Sequence, residues 1–165
     1  MVIESKVSFD QVREVFLQQN PDLAVGTTRY ALELLEAANS QFGAWSKAVL
    51  SSEDMLGIML PPHLHDGFEL IPPSGLTVSD ALRKAELLPR SHICSLRIEE
   101  LSTGPLSAIF LSAAPVADPA YPDYRDLVNR GYKGLTHLDG LHRLIAWARS
   151  GQSGIIAYVT FENVE

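Results

Sequence analysis

The chain holds a single cysteine, Cys94, among 165 residues. One thiol excludes an internal disulfide framework and any single-chain metal site built from several cysteines. Basic residues are also short: 13 Lys and Arg stand against 20 Asp and Glu, a formal charge of -7. Such a surface repels a phosphate backbone and argues against a broad nucleic-acid footprint. No apolar run approaches the ~20 residues that span a bilayer, so no membrane partner is expected. The opening MVIESKVSFD lacks the basic start and apolar centre of a secretion signal, and a cytoplasmic location is expected. Repeats and low-complexity tracts are missing as well. What is there is globular: 46% hydrophobic and 20% charged residues, enough for one ordinary domain.

Charge is unevenly spread. Residues 1–88 carry six basic and twelve acidic side chains, and residues 89–165 carry seven and eight. The later part is the better home for an anionic ligand. The earlier part reads as mainly helical. Ser8, with Gln11 three residues on, is a capping box for a helix to Gln19, which Asn20-Pro21 stops. A second helix is expected over Thr28–Asn39, continuing brokenly to Leu50, and a third over Val78–Leu87, capped by Thr77. A short strand is expected around Phe68 and Leu70. Beyond Pro89, strands are expected at His92–Leu96 and within Pro105–Ala113, with a short turn or helix at Ile98–Leu101. A long connection over 114–134 comes next, with a helical turn or two at Asp123–Asn129. Then come a strand at Leu135–Leu138, a tight turn at Asp139-Gly140, a helix over Leu141–Arg149, Gly151 as C-cap, and a last strand over Ile155–Phe161. The fold class expected is α/β, with residues 1–88 a helical region packed on an α/β region of residues 89–165.

The chemistry concentrates at Asp139-Gly140-Leu141-His142-Arg143. Free N–H groups at a helix N-terminus face incoming anions, and Gly140 permits close approach of a phosphate. Arg143 offers a planar fork suited to phosphoryl oxygens. His142 is a hydrogen-bond donor or proton shuttle near neutral pH. Asp139 has three candidate roles: orienting His142, binding a divalent ion, or holding the turn. The bland alternative makes Asp139 a helix cap and leaves His142 and Arg143 solvated.

This stretch, with His137-Leu138 before it and Leu144-Ile145-Ala146 after it, resembles the nucleotide-binding element of the ParB/sulfiredoxin superfamily. It is most similar to members with an Asp-Gly-x-His-Arg motif, such as the ParB-like serine kinases. The resemblance implies a ParB/sulfiredoxin-like mixed sheet with helices. It also implies ATP, ADP or CTP as cofactor, phosphate contacts from Gly140, His142 and Arg143, and Mg2+ or substrate at Asp139. Arg130 and Lys133, just before the strand that delivers Asp139, are the candidate extra phosphate contacts. In the kinases a glutamate acts as base toward the substrate hydroxyl, and Glu100 or Glu99 is the candidate here. The sulfiredoxin cysteine has no counterpart in the turn, and a DNA-binding helical domain of the partition-protein type is not expected. Over more of its length, including the helical region of residues 1–88, the chain is similar to uncharacterised actinobacterial proteins found beside antibiotic-biosynthesis genes.

Other groups carry weaker signals. His63 and His65 flank Leu64, with Asp66 adjacent, and in a strand both histidines share a face as zinc ligands do. A solvated loop is the favoured alternative. Cys94, on an expected strand, reads as a small buried hydrophobe. His92 and His137 converge only if their strands pair. Three functional readings therefore stand. The first is a nucleotide- or phosphate-binding enzyme acting on a small molecule, with Glu100, Asp139 and His142 catalytic, as a phosphotransferase to a hydroxyl would need. The second is a biosynthetic enzyme that reuses the pocket for cyclisation, isomerisation or hydrolysis. The third is a non-catalytic binding protein. A homodimer is a candidate assembly for each. A protein plug in the Asp139–Arg143 notch would count against both enzymatic readings.

Overall fold

The computed structural model describes residues 1–162, so the last three positions of the expected 89–165 region lie outside the described residues. The chain opens with a strand, β1 (Val2–Val7), and two helices, α1 (Phe9–Gln19) and α2 (Gly26–Phe42). Ser8 accepts from the Gln11 N–H while the Gln11 side chain returns to the Ser8 N–H, so the capping box starts α1. Gly43 ends α2 in the left-handed region, at φ 78°. The broken helical continuation expected to Leu50 is instead a strand, β2 (Gly43–Leu50), paired antiparallel with β1 and with the last strand. Once Gly43 has turned the chain, Trp45, Ala48 and Leu50 are buried from an extended backbone.

After α3 (Ser52–Leu56) come β3 (Met59–Leu60), a separate hairpin of β4 (His63–His65) and β5 (Phe68–Ile71), then β6 (Leu76–Thr77) and α4 (Val78–Ala85). The hairpin turns on Asp66 and Gly67, both at positive φ (49° and 75°). An Asp-Gly pair adopts that conformation at little cost. The expected strand at His92–Leu96 is instead the start of a helix, α5 (Ile93–Ser102), which also absorbs Ile98–Leu101. Its cap is His92, whose Nδ1 accepts from the Cys94 N–H at 3.1 Å. Histidine is not among the usual capping residues, and Ile93-Cys94 imitates a strand. The chain continues through β7 (Ile109–Ser112), a 3-10 turn at Pro122–Tyr124, α6 (Arg125–Asn129), β8 (Thr136–Asp139), α7 (Leu141–Arg149) and β9 (Ile155–Glu162).

Seven strands form one mixed sheet in the order β1-β2-β9-β7-β8-β3-β6. The first 88 residues, read from sequence as mainly helical, supply four of them: β1, β2, β3 and β6. Alternation along the central strands divides the core. Ile109, Leu111, Ile155, Ala157 and Val159 pack with residues of α3, α4, α5 and α7. Phe110 and Tyr158 pack with α1, α2 and α6 on the other side. Helices therefore cover both faces of the sheet. Among the described residues no helix is long and apolar enough to cross a membrane.

Candidate metal centre

The notch expected to receive a phosphate lies where β8 hands over to α7. Gly140 caps α7 at φ 102°, a conformation that suits glycine. A Cβ added there would come within 3.1 Å of Arg143 Nε and Nη2 and of Ile109 Cγ2. The space above the turn is thus filled by Arg143 itself. Its Nη1 donates to Gln19 Oε1 (3.0 Å), Ser107 Oγ (2.8 Å) and the Ala108 carbonyl (3.0 Å). Its Nη2 donates to Asp139 Oδ2 at 2.5 Å. The side chain is only 15% exposed. Burial pushes the Asp139 carboxyl above its usual range, against the pull of Arg143. A guanidinium engaged with four protein acceptors ties α1, the residues just before β7, and β8 to α7, and commits Nη1 wholly to protein acceptors.

The remaining residues of that expected site are dispersed. Glu100 is exposed and pairs with Arg97, 2.7 Å away on its own helix. Arg130 donates to the Ser74 carbonyl at 2.6 Å. Lys133 and Glu99 are exposed. A surface cleft of about 500 Å3 includes Glu86, Arg90, Glu99 and Arg149 in its wall but neither Asp139 nor Arg143.

His142 keeps different company. The start of α7 sets it beside His63 at the head of β4, with ring centroids 4.9 Å apart and planes nearly perpendicular. His63 Nε2 lies 3.5 Å from Cys94 Sγ, in the first turn of α5. Each of the three offers one ligand atom, and these atoms lie within 4.8 Å of one another. The surrounding residues fix this arrangement. His92 accepts from the Cys94 N–H at Nδ1, which leaves its Nε2–H to donate to the His65 carbonyl at 3.1 Å. One side chain therefore joins the α5 start to the hairpin. His65 Nδ1 lies 3.1 Å from Asp66 Oδ2.

Burial is the main electrostatic fact here. It lowers His63, with His65 and then His92 adding to the effect. It lowers His142 to about 4, helped by His63, then Arg97 and His65. It raises the Cys94 thiol, with a further push from Asp66. The imidazoles are thus held neutral, the form that binds metals. Behind them lies His137 on β8, buried. Burial lowers it to about 3, with Arg143, His142 and His63 adding repulsion. Among the described residues four buried side-chain polar atoms lack a hydrogen-bond partner: both ring nitrogens of His137, Nε2 of His142, and Nε1 of Trp147. Three of the four belong to two neighbouring histidines.

All five histidines and the one cysteine therefore gather at one place. Of this set the sequence singled out His142 for a different purpose and His63 and His65 as a weak pair. Cys94 passed for a hydrophobe because its neighbours suggested a strand. The available signal was the His-x-His spacing at 63 and 65, which needed a third ligand that no local pattern supplies.

The chain belongs to a family of unknown function (DUF6309), whose model matches residues 1–161. No curated protein and no solved structure matches it. These findings correct the description of the chain as ParB/sulfiredoxin-like, nucleotide-binding, a transferase or kinase, and a participant in antibiotic biosynthesis. The geometry of Arg143 gives the physical reason the motif misleads: its guanidinium is bound to Asp139, Gln19, Ser107 and the Ala108 carbonyl.

Proposed function

We propose that this protein binds one zinc ion through His63, Cys94 and His142. The observation that carries this reading is the convergence of three ligand atoms from three separate elements, β4, α5 and α7. Zinc bonds of about 2.3 Å to sulfur and 2.0–2.1 Å to nitrogen, at a tetrahedral angle, separate those ligand atoms by about 3.6 Å. The Cys94 Sγ to His63 Nε2 distance is 3.5 Å. Two imidazoles and a thiolate suit a borderline-soft ion, whereas magnesium seeks oxygen. A buried His142 Nε2 without a partner is costly in a metal-free core, and ligation of that ring changes the balance. The lone thiol must stay reduced to bind, which suits a cytoplasmic setting.

The 3.5 Å contact also fits a cysteine nucleophile with a histidine base. Cys94 is only 2% exposed, however, so an electrophile cannot reach it without opening the hairpin. The metal reading is the stronger of the two.

The test is titration of the metal-free protein with Zn2+ against a chromophoric chelator, with Co2+ as a spectroscopic substitute. One equivalent is expected to bind, with a thiolate-to-cobalt charge-transfer band that Cys94→Ala abolishes. His63→Ala and His142→Ala are expected to weaken binding by at least tenfold. A wild-type protein that takes up neither ion at micromolar concentration overturns the reading.

A further inference from the structure

We infer that the cleft bordered by α4, α5 and α7 is a binding site for short peptides with free termini. The inference stands apart from the metal reading, since none of His63, Cys94 and His142 lines this cleft. α7 packs against both α4 and α5. The wall of the cleft takes Ala85 from the end of α4, Ser95 and Glu99 from α5, and Arg149 from the end of α7. Glu86, Leu88 and Arg90 come from the connection between α4 and α5. Its volume of about 500 Å3 lies within the roughly 300–1,000 Å3 usual for ligand sites.

The charges of the cleft set the ligand class. Glu86 and Glu99 face it together with Arg90 and Arg149, so both signs are present in equal number. Other cations of these helices are already paired: Arg83 with Asp80, Lys84 with Glu69, Arg97 with Glu100, and Arg143 with Asp139. Among the described residues the four cleft charges enter no ion pair, with one another or with any other group. A simple anion meets two carboxylates here, and a simple cation meets two guanidiniums. A molecule carrying both signs satisfies both sets: a guanidinium fork takes a carboxylate in parallel N–H···O bonds, and a carboxylate accepts from an ammonium. Because the opposite charges stand beyond ion-pairing reach of each other, the ligand's own charges must stand apart too. A free amino acid holds both on one carbon, whereas a peptide separates them by up to about 3.3–3.6 Å per residue. Ala85 and Leu88 add an apolar wall for a side chain. Ser95, one turn before Glu99 on the same face of α5, offers a hydroxyl to a peptide group.

The experiment follows the amide NMR spectrum of the full chain during titration with the tripeptide alanyl-leucyl-alanine. The comparison ligands are the same peptide N-acetylated, the same peptide C-amidated, free leucine, and acetate. The free tripeptide is expected to shift the amides of Ser95, Glu99 and Arg149 saturably in the millimolar range. Each comparison ligand is expected to bind at least about tenfold more weakly, the loss of one hydrogen bond to a charged group. Arg149→Gln and Glu99→Gln are expected to weaken the tripeptide by a similar factor. Both side chains are exposed, so these variants keep the fold. No saturable shift at those amides with millimolar tripeptide overturns the proposal, as does wild-type affinity in both variants. Equal binding of the blocked peptides also overturns it, because the termini then carry nothing. Equal binding of acetate makes the cleft a simple anion site, and equal binding of leucine makes it an amino-acid site; either result removes the peptide assignment.

Discussion

Arg143 and His142 are neighbours in sequence with separate roles. Arg143 donates to Asp139, Gln19, Ser107 and the Ala108 carbonyl, while His142 joins His63 and Cys94. Removing the guanidinium strands a carboxylate that is only 23% exposed. Breaking such a pair from one side costs about 3–5 kcal/mol in buried settings, and the partial exposure here places the expectation near the lower end. Arg143→Ala is therefore expected to lose about 3 kcal/mol in urea unfolding. The double variant Arg143→Ala with Asp139→Asn is expected to recover part of that loss. If Arg143→Ala leaves stability unchanged, Arg143 is free for another purpose and the notch returns as a candidate ligand site.

The short elements around the candidate centre depend on a few backbone positions. Gly75, between β5 and β6, has φ +73°, and a Cβ there would lie 2.9 Å from the Leu60 carbonyl oxygen. That oxygen is backbone in the β3–β6 pairing and has little room to move. Gly75→Ala is expected to cost about 2 kcal/mol, from left-handed strain and the clash together. Equilibrium denaturation checks it, and a loss below about 0.5 kcal/mol, the usual size of a neutral surface change, contradicts it. Elements with local signals were legible: the capping box at Ser8, the Thr77 cap of α4, and α7 between Gly140 and Gly151. Elements defined by partners were not. β2 is a strand because β1 and β9 flank it, and α5 is a helix because His92 caps it and its buried face meets α7.

At the scale of the whole molecule, the buried histidines make stability depend on pH. His137 and His142 fall to about 3 and about 4 on folding, from an ordinary 6.5. Between those values the unfolded chain binds more protons, so the metal-free protein is expected to lose stability as pH falls below about 6.5. Each group contributes on the order of 1.4 kcal/mol per pH unit, His142 down to about 4 and His137 somewhat further. Zinc at 100 times its dissociation constant adds about 2.7 kcal/mol by mass action, and acid removes that gain because protons compete for the ligands. Thermal melts from pH 8 to pH 4, with and without zinc, measure both effects. A metal-free melting temperature that stays flat from pH 7 to pH 5 contradicts the burial of these rings.

The sequence by itself determined that this is an acidic α/β chain with one thiol, and it located α1, α4 and α7 through caps and apolar spacing. Those properties depend on residues a few positions apart, whose preferences hold before the chain folds. Tertiary structure alone decided that the first 88 residues build more than half of the sheet's strands, and that Arg143 fills its own notch. It also decided that His63, Cys94 and His142 meet across sequence separations of 31 and 48 residues. Such meetings are set by strand order and helix packing on one face of a sheet, and no local pattern encodes them.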